Sequence, residues 1–82
     1  MNEDSASQSV GVKKHSLVIA GHRTSISLEP AFWDALKEIA RGEGLSLAAL
    51  VARVDATRGA ANLSSALRVF ALQRAMGRSP SP

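Results

Sequence analysis

Polar and apolar residues alternate strictly through Arg23-Thr24-Ser25-Ile26-Ser27-Leu28, the period-two pattern of a strand with one buried face. Pro30 follows, at a position suited to the first turn of a helix, where its missing N–H leaves nothing unsatisfied. Phe32, Trp33, Leu36, Ile39 and Ala40 then recur at helical spacing, with Asp34, Lys37, Glu38 and Arg41 on the opposite side, so a helix is predicted over 30–41. Gly42 and Gly44 end it, and Ser46 is placed to cap a second helix whose stripe is Leu47, Leu50, Val51 and Val54. Gly59 closes that helix. Asn62 or Ser64 can cap a third, reaching to about Met76, in which Leu63, Ala66, Leu67, Val69, Phe70, Leu72 and Met76 occupy more than one face.

Upstream, His15-Ser16-Leu17-Val18-Ile19-Ala20 has the length and branched residues of another strand. Parity decides how it joins the alternating one. A single straight strand over 16–28 would leave Leu17 and Ile19 on the wrong face. A two-residue turn at Gly21-His22, pairing Ile19 with Thr24 and Leu17 with Ile26, puts every large aliphatic except Val18 on one side. A hairpin is therefore expected. The apolar face of strand 23–28 exceeds what two helices cover, and pairing of this strand with a second copy of the chain is expected as well.

Size sharpens that expectation. The chain has 82 residues and no cysteine, so neither disulfides nor thiolate metal sites can supplement a small core, and oligomerisation is the remaining route. The start, Met1-Asn2-Glu3-Asp4, is acidic, and no run of eighteen apolar residues occurs; a soluble cytoplasmic protein without membrane association is expected. Residues 1–12 and 77–82 are polar and aperiodic and read as disordered tails flanking one domain over 13–76. The net charge is +3; from Val10 onward ten Lys/Arg face five acids, a surplus of +5 over that stretch. That surplus suits attraction to a polyanion.

Little else in the chain carries chemistry. His15 and His22 have no cysteine or acidic neighbour to share a metal, and turn and edge positions account for them. Asp34 and Glu38 share a helix face, but Lys37 and Arg41 interleave with them, which reads as a solvated face with weak ion pairs. Phe32 and Trp33 could offer a stacking platform, yet on an apolar stripe they read as core. No Gly-x-Ser-x-Gly elbow, Ser-x-x-Lys motif or phosphate loop is present. Neither an enzyme nor a bound cofactor is expected. Lys13-Lys14 can be a phosphate-contacting arm ahead of the strand or a solvated pair.

The order strand, helix, Gly-x-Ser, helix resembles the ribbon-helix-helix DNA-binding proteins, the class containing the Arc, MetJ and CopG repressors. Arg23 to Leu28, the helix over 30–41 and Gly44-Leu45-Ser46-Leu47-Ala48-Ala49-Leu50 carry the likeness. The longer strings Gly21 to Leu36 and Asn62 to Phe70 are similar to a bacterial subgroup of small proteins of this fold. The resemblance implies an α+β, mainly α fold: an intertwined homodimer with an intersubunit antiparallel ribbon, here with an extra N-terminal strand and a third helix. It implies a double-stranded DNA partner, with Arg23, Ser25 and Ser27 at base edges and Ser46, Leu47, Lys13 and Lys14 at phosphates. Ile26, Leu28, Leu36, Leu50 and Val54 would form the dimer core. The role implied is a transcriptional repressor or autoregulator. The two-faced third helix leaves open a tetramer, or an interaction module such as an antitoxin that binds a protein partner, although residues 77–82 are short for a toxin-wrapping tail.

Overall fold

The structure, a computed structural model, describes residues 11–77. The tails expected at 1–12 and 77–82 lie outside the described residues apart from Gly11, Val12 and Gly77. Strands β1 (Lys13–Ile19) and β2 (His22–Leu28) precede helices α1 (Pro30–Gly42), α2 (Leu47–Thr57) and α3 (Leu63–Ala75). The fold is mainly α with a two-stranded antiparallel ribbon, and the ribbon is closed within one chain.

The hairpin corrects the expected register. Ile19 faces His22, Leu17 faces Thr24 and His15 faces Ile26, so the turn residues are Ala20-Gly21 rather than Gly21-His22. Both have positive φ, 51° and 83°, as a type I′ turn requires. The shift of two residues preserves the faces: Ile19, Ile26 and Leu28 are buried, and Val18 points outward. It also extends β1 back to Lys13, so that all seven residues of β2 find a partner. His15 is not the edge or turn residue expected. Its ring stacks on Trp33 of α1 at a centroid distance of 3.9 Å, and its buried Nε2 has no hydrogen-bond partner among the described residues.

Each helix is bounded by local chemistry. The N–H groups of Phe32 and Trp33 donate to the carbonyl of Glu29 just ahead of Pro30. At the other end Leu45 N–H donates to Ala40 O and Gly44 N–H to Arg41 O, a Schellman closure that places Gly44 at φ 69°. Ser46 Oγ accepts from Ala49 N–H at the start of α2. At α3 it is Asn62, not Ser64, that caps, its side chain accepting from Ser65 N–H at 2.8 Å. Such caps contribute about 1 kcal/mol each.

Ile26, Leu28, Leu36, Leu50 and Val54, expected to be shielded by a second copy, are buried within the single chain. The cover comes from α3, whose Leu67 and Ala71 join the same core. Six fully buried large side chains (Ile26, Leu28, Leu36, Leu50, Val51 and Leu67) carry most of it, at roughly 1.5–3 kcal/mol apiece. Phe32 and Trp33 pack against this core while remaining partly exposed. Three long-range links fasten α3: Arg68 to Glu29 at 2.9 Å, Arg74 to Glu43, and Ser64 Oγ donating to the carbonyl of Ser27 at 2.9 Å.

Candidate nucleic-acid interface

Alternation along the hairpin gives its solvent face six side chains in three opposed pairs: Lys14 with Ser27, Ser16 with Ser25, and Val18 with Arg23. All six are exposed. Arg23, Ser25 and Ser27 thus stand together on one face, as expected of the base-contacting set. Lys14 joins them from β1 and is part of the ribbon rather than an arm before it. Lys13 lies opposite Leu28 at the strand end, exposed but off this face by parity.

The charge pattern singles out the same face. All five carboxylates among the described residues are ion-paired: Glu29 with Arg68, Asp34 with Lys37, Glu38 with Arg41, Glu43 with Arg53 and Arg74, and Asp55 with Arg58. Those pairs engage every basic side chain of the helices. Lys13, Lys14 and Arg23 make no ion pair among the described residues, and all three belong to the hairpin. Among the described residues, the uncompensated positive charge is therefore concentrated on the ribbon. Three of these ion pairs (Arg68–Glu29, Arg53–Glu43 and Arg74–Glu43) join residues ten to thirty-nine positions apart, which hid the pattern from the sequence. Only the helical i,i+3 pairs were legible there.

Two carboxyls report these links. Arg68, by hydrogen bonding first and by its charge as well, holds Glu29 below the usual carboxylate range; Arg74 does the same to Glu43, with Arg53 adding to it.

The other expected contact point lies at the start of α2. Ser46 is exposed and its hydroxyl is committed to Ala49 N–H, so what this terminus offers an anion is the N–H groups of the first turn. The side chain of Leu47 packs against the core, so its contribution is its backbone N–H.

The edges of the ribbon matter as much as its face. In a hairpin with a two-residue turn, the pair flanking the turn exchanges hydrogen bonds and the next pair does not. The peptide groups of Arg23, Ser25 and Ser27 therefore point away from β1, to the outer edge of β2. Ser64 takes the carbonyl of Ser27; those of Arg23 and Ser25 have no partner among the described residues. Among the described residues, no three metal-ligating side chains converge and no helix is long and apolar enough to cross a membrane.

Comparison with known proteins agrees with this architecture. The ribbon-helix-helix domain family matches residues 12–75. A solved structure, that of an uncharacterized protein from Bordetella pertussis Tohama I, superposes with a TM-score of 0.69 at 38% sequence identity over 90% of this chain. The chain spans 66% of that protein's length, just under two thirds. No curated protein matches. A ribbon, two capped helices joined by Gly-Leu-Ser, and a family match over nearly all the described residues make this chain a member of the ribbon-helix-helix domain family.

Proposed function

We propose that the protein is a sequence-specific, homodimeric DNA-binding regulator, acting as a repressor or autoregulator, that reads the major groove with the outer face of its hairpin. The observation that carries this reading is that, among the described residues, the cations without an ion pair are confined to the ribbon, beside Ser25 and Ser27. Arg23 can fork onto guanine O6 and N7, and serine hydroxyls can donate to or accept from base edges. The dimer forms by antiparallel pairing of two β2 outer edges, giving the strand order β1-β2-β2-β1 across a two-fold axis. Its outermost strands then lie about 14 Å apart. The groove is about 12 Å wide, so the central pair enters and Lys14 on each outer strand falls at the phosphate walls. The N–H groups at the start of α2 hold a further phosphate.

Selection of bound sequences from a random DNA pool at near-physiological salt tests the reading. An enriched palindrome is the expected outcome, and affinity for it falls steeply as salt is raised. A pool that emerges unenriched would refute it.

One observation favours a second reading, in which α3 joins chains. Val69, Leu72 and Met76 form an exposed apolar stripe beside a hollow lined by Val54, Ala66 and Phe70. The hollow runs between α2 and α3 alongside the ridge, which suits self-association into a tetramer; a protein partner docked by α3 is the other occupant. Sedimentation of the Leu72→Asp variant separates these from the dimer: a tetramer falls to a dimer, whereas a species unchanged in size removes α3 from the self-assembly.

A further inference from the structure

Every carboxylate among the described residues is engaged in an ion pair, and those pairs leave Lys13, Lys14 and Arg23 over. Two acids of the chain stand outside the described residues, Glu3 and Asp4. The side chains of residues 1–10 carry those two negative charges and no positive one. This segment joins the fold through Gly11 and Val12, immediately ahead of Lys13 at the start of β1. The chain's unused negative charge is therefore tethered at the end of the ribbon that bears its unused positive charge.

Reach and composition allow the two to meet. On the outer face, Arg23 shares a rung with Val18, four residues along β1 from Lys14, or about 13 Å. Seven residue steps separate Gly11 from Asp4, and an extended chain of that length spans about 24 Å. Gly11, lacking a Cβ, permits the reversal that lays the segment back over the hairpin. Residues 5–9 are small or polar and match the exposed serines of that face. An exposed ion pair between separate molecules is weak. A short tether holds the carboxylates at an effective concentration on the order of millimolar, which makes the same pair count.

We propose that Glu3 and Asp4 dock on the outer face of the hairpin, against Lys14 and Arg23, and cover it when no DNA is bound. The carboxylates occupy the places that a phosphate and a guanine edge take in the complex proposed above, so segment and duplex exclude each other. The segment must leave whichever sequence is bound. It lowers affinity for every duplex by one factor and leaves the preference among sites unchanged. The docking stands on the charge pattern alone; its effect on affinity rests on the groove-reading function.

Because the chain has no cysteine, Ser5→Cys in the full-length protein accepts a single nitroxide label beside Glu3 and Asp4. At low salt, paramagnetic broadening is expected at the amides of Ser16, Ser25 and their hairpin neighbours, and not near the C-terminus of α3. Glu3→Gln with Asp4→Asn should abolish it, as should about 0.5 M salt. Broadening spread evenly over the surface, or unchanged by removal of the two charges, overturns the docking. In binding to a duplex recovered by selection, the double variant should be about threefold tighter than wild type at low salt, the two converging as salt rises. Adding Ser79→Glu and Ser81→Asp to that variant restores the net charge at the other end of the chain. The tighter binding should persist there; a return to wild-type affinity would trace the gain to net charge and refute the covering role. Hairpin broadening in a protein that binds no duplex upholds the docking and removes the groove-reading function instead.

Discussion

Arg23 and Ala20 sit three residues apart and illustrate two different demands on a side chain. Arg23 is exposed and makes no ion pair among the described residues, so Arg23→Ala removes the proposed reading group without opening the core. Loss of roughly 1–3 kcal/mol of discrimination at one base pair is expected, with the melting curve unchanged, as competition binding against single-base variants would report. Ala20 instead holds a left-handed φ of 51° that residues bearing a Cβ adopt reluctantly. Ala20→Asn converts the turn to Asn-Gly and should raise stability by about 1 kcal/mol in denaturant unfolding. Absence of any gain would show that the turn is not strained. The same residue explains why the turn was misplaced from sequence: Gly21 can open one turn type or close another, and alanine gives no sign that it will take the left-handed region. Parity survived because either register keeps Leu17, Ile19 and Ile26 on one face.

At the level of elements, the helices were legible almost to the residue because their signals are local. Pro30, Ser46 and Gly59 punctuate the chain within a turn of each helix end. Ser46→Ala should cost about 1 kcal/mol through the lost bond to Ala49 N–H, and it also loosens the expected phosphate-binding turn. What sequence could not supply was the destination of α3. Its two apolar faces were visible, but which neighbour each would meet depends on contacts from Leu67 and Ala71 to a core assembled from distant segments. Leu67→Ala should therefore cost roughly 2–5 kcal/mol in chemical denaturation. A loss below about 1 kcal/mol would mean that α3 is an appendage rather than the cover of the core. Exposed Leu72 on the same helix provides the comparison, and its truncation should leave the chain's own stability little changed.

For the whole molecule, charge and core are organised separately. Glu29 and Glu43 bind α3 to the rest through Arg68 and Arg74. Both carboxyls have depressed folded-state pKa values, so their stabilisation is complete above the ordinary glutamate value of about 4.3 and is lost as pH falls below it. Acid unfolding monitored by tryptophan fluorescence should begin in that range, and Glu43→Gln should flatten the dependence. A profile identical to wild type would place the acid-sensitive contact elsewhere. The expected covering of the core by a second copy was not how this chain resolves its shortage of size; a third helix does that within the chain. The self-sufficient core separates two events that an interlaced pair of chains would fuse. On dilution the proposed dimer should come apart into intact halves, with far-ultraviolet circular dichroism constant while the sedimentation coefficient falls. In the proposed assembly each newly made copy finishes folding alone and meets its counterpart afterwards as a rigid body, the outer face of its hairpin already in place.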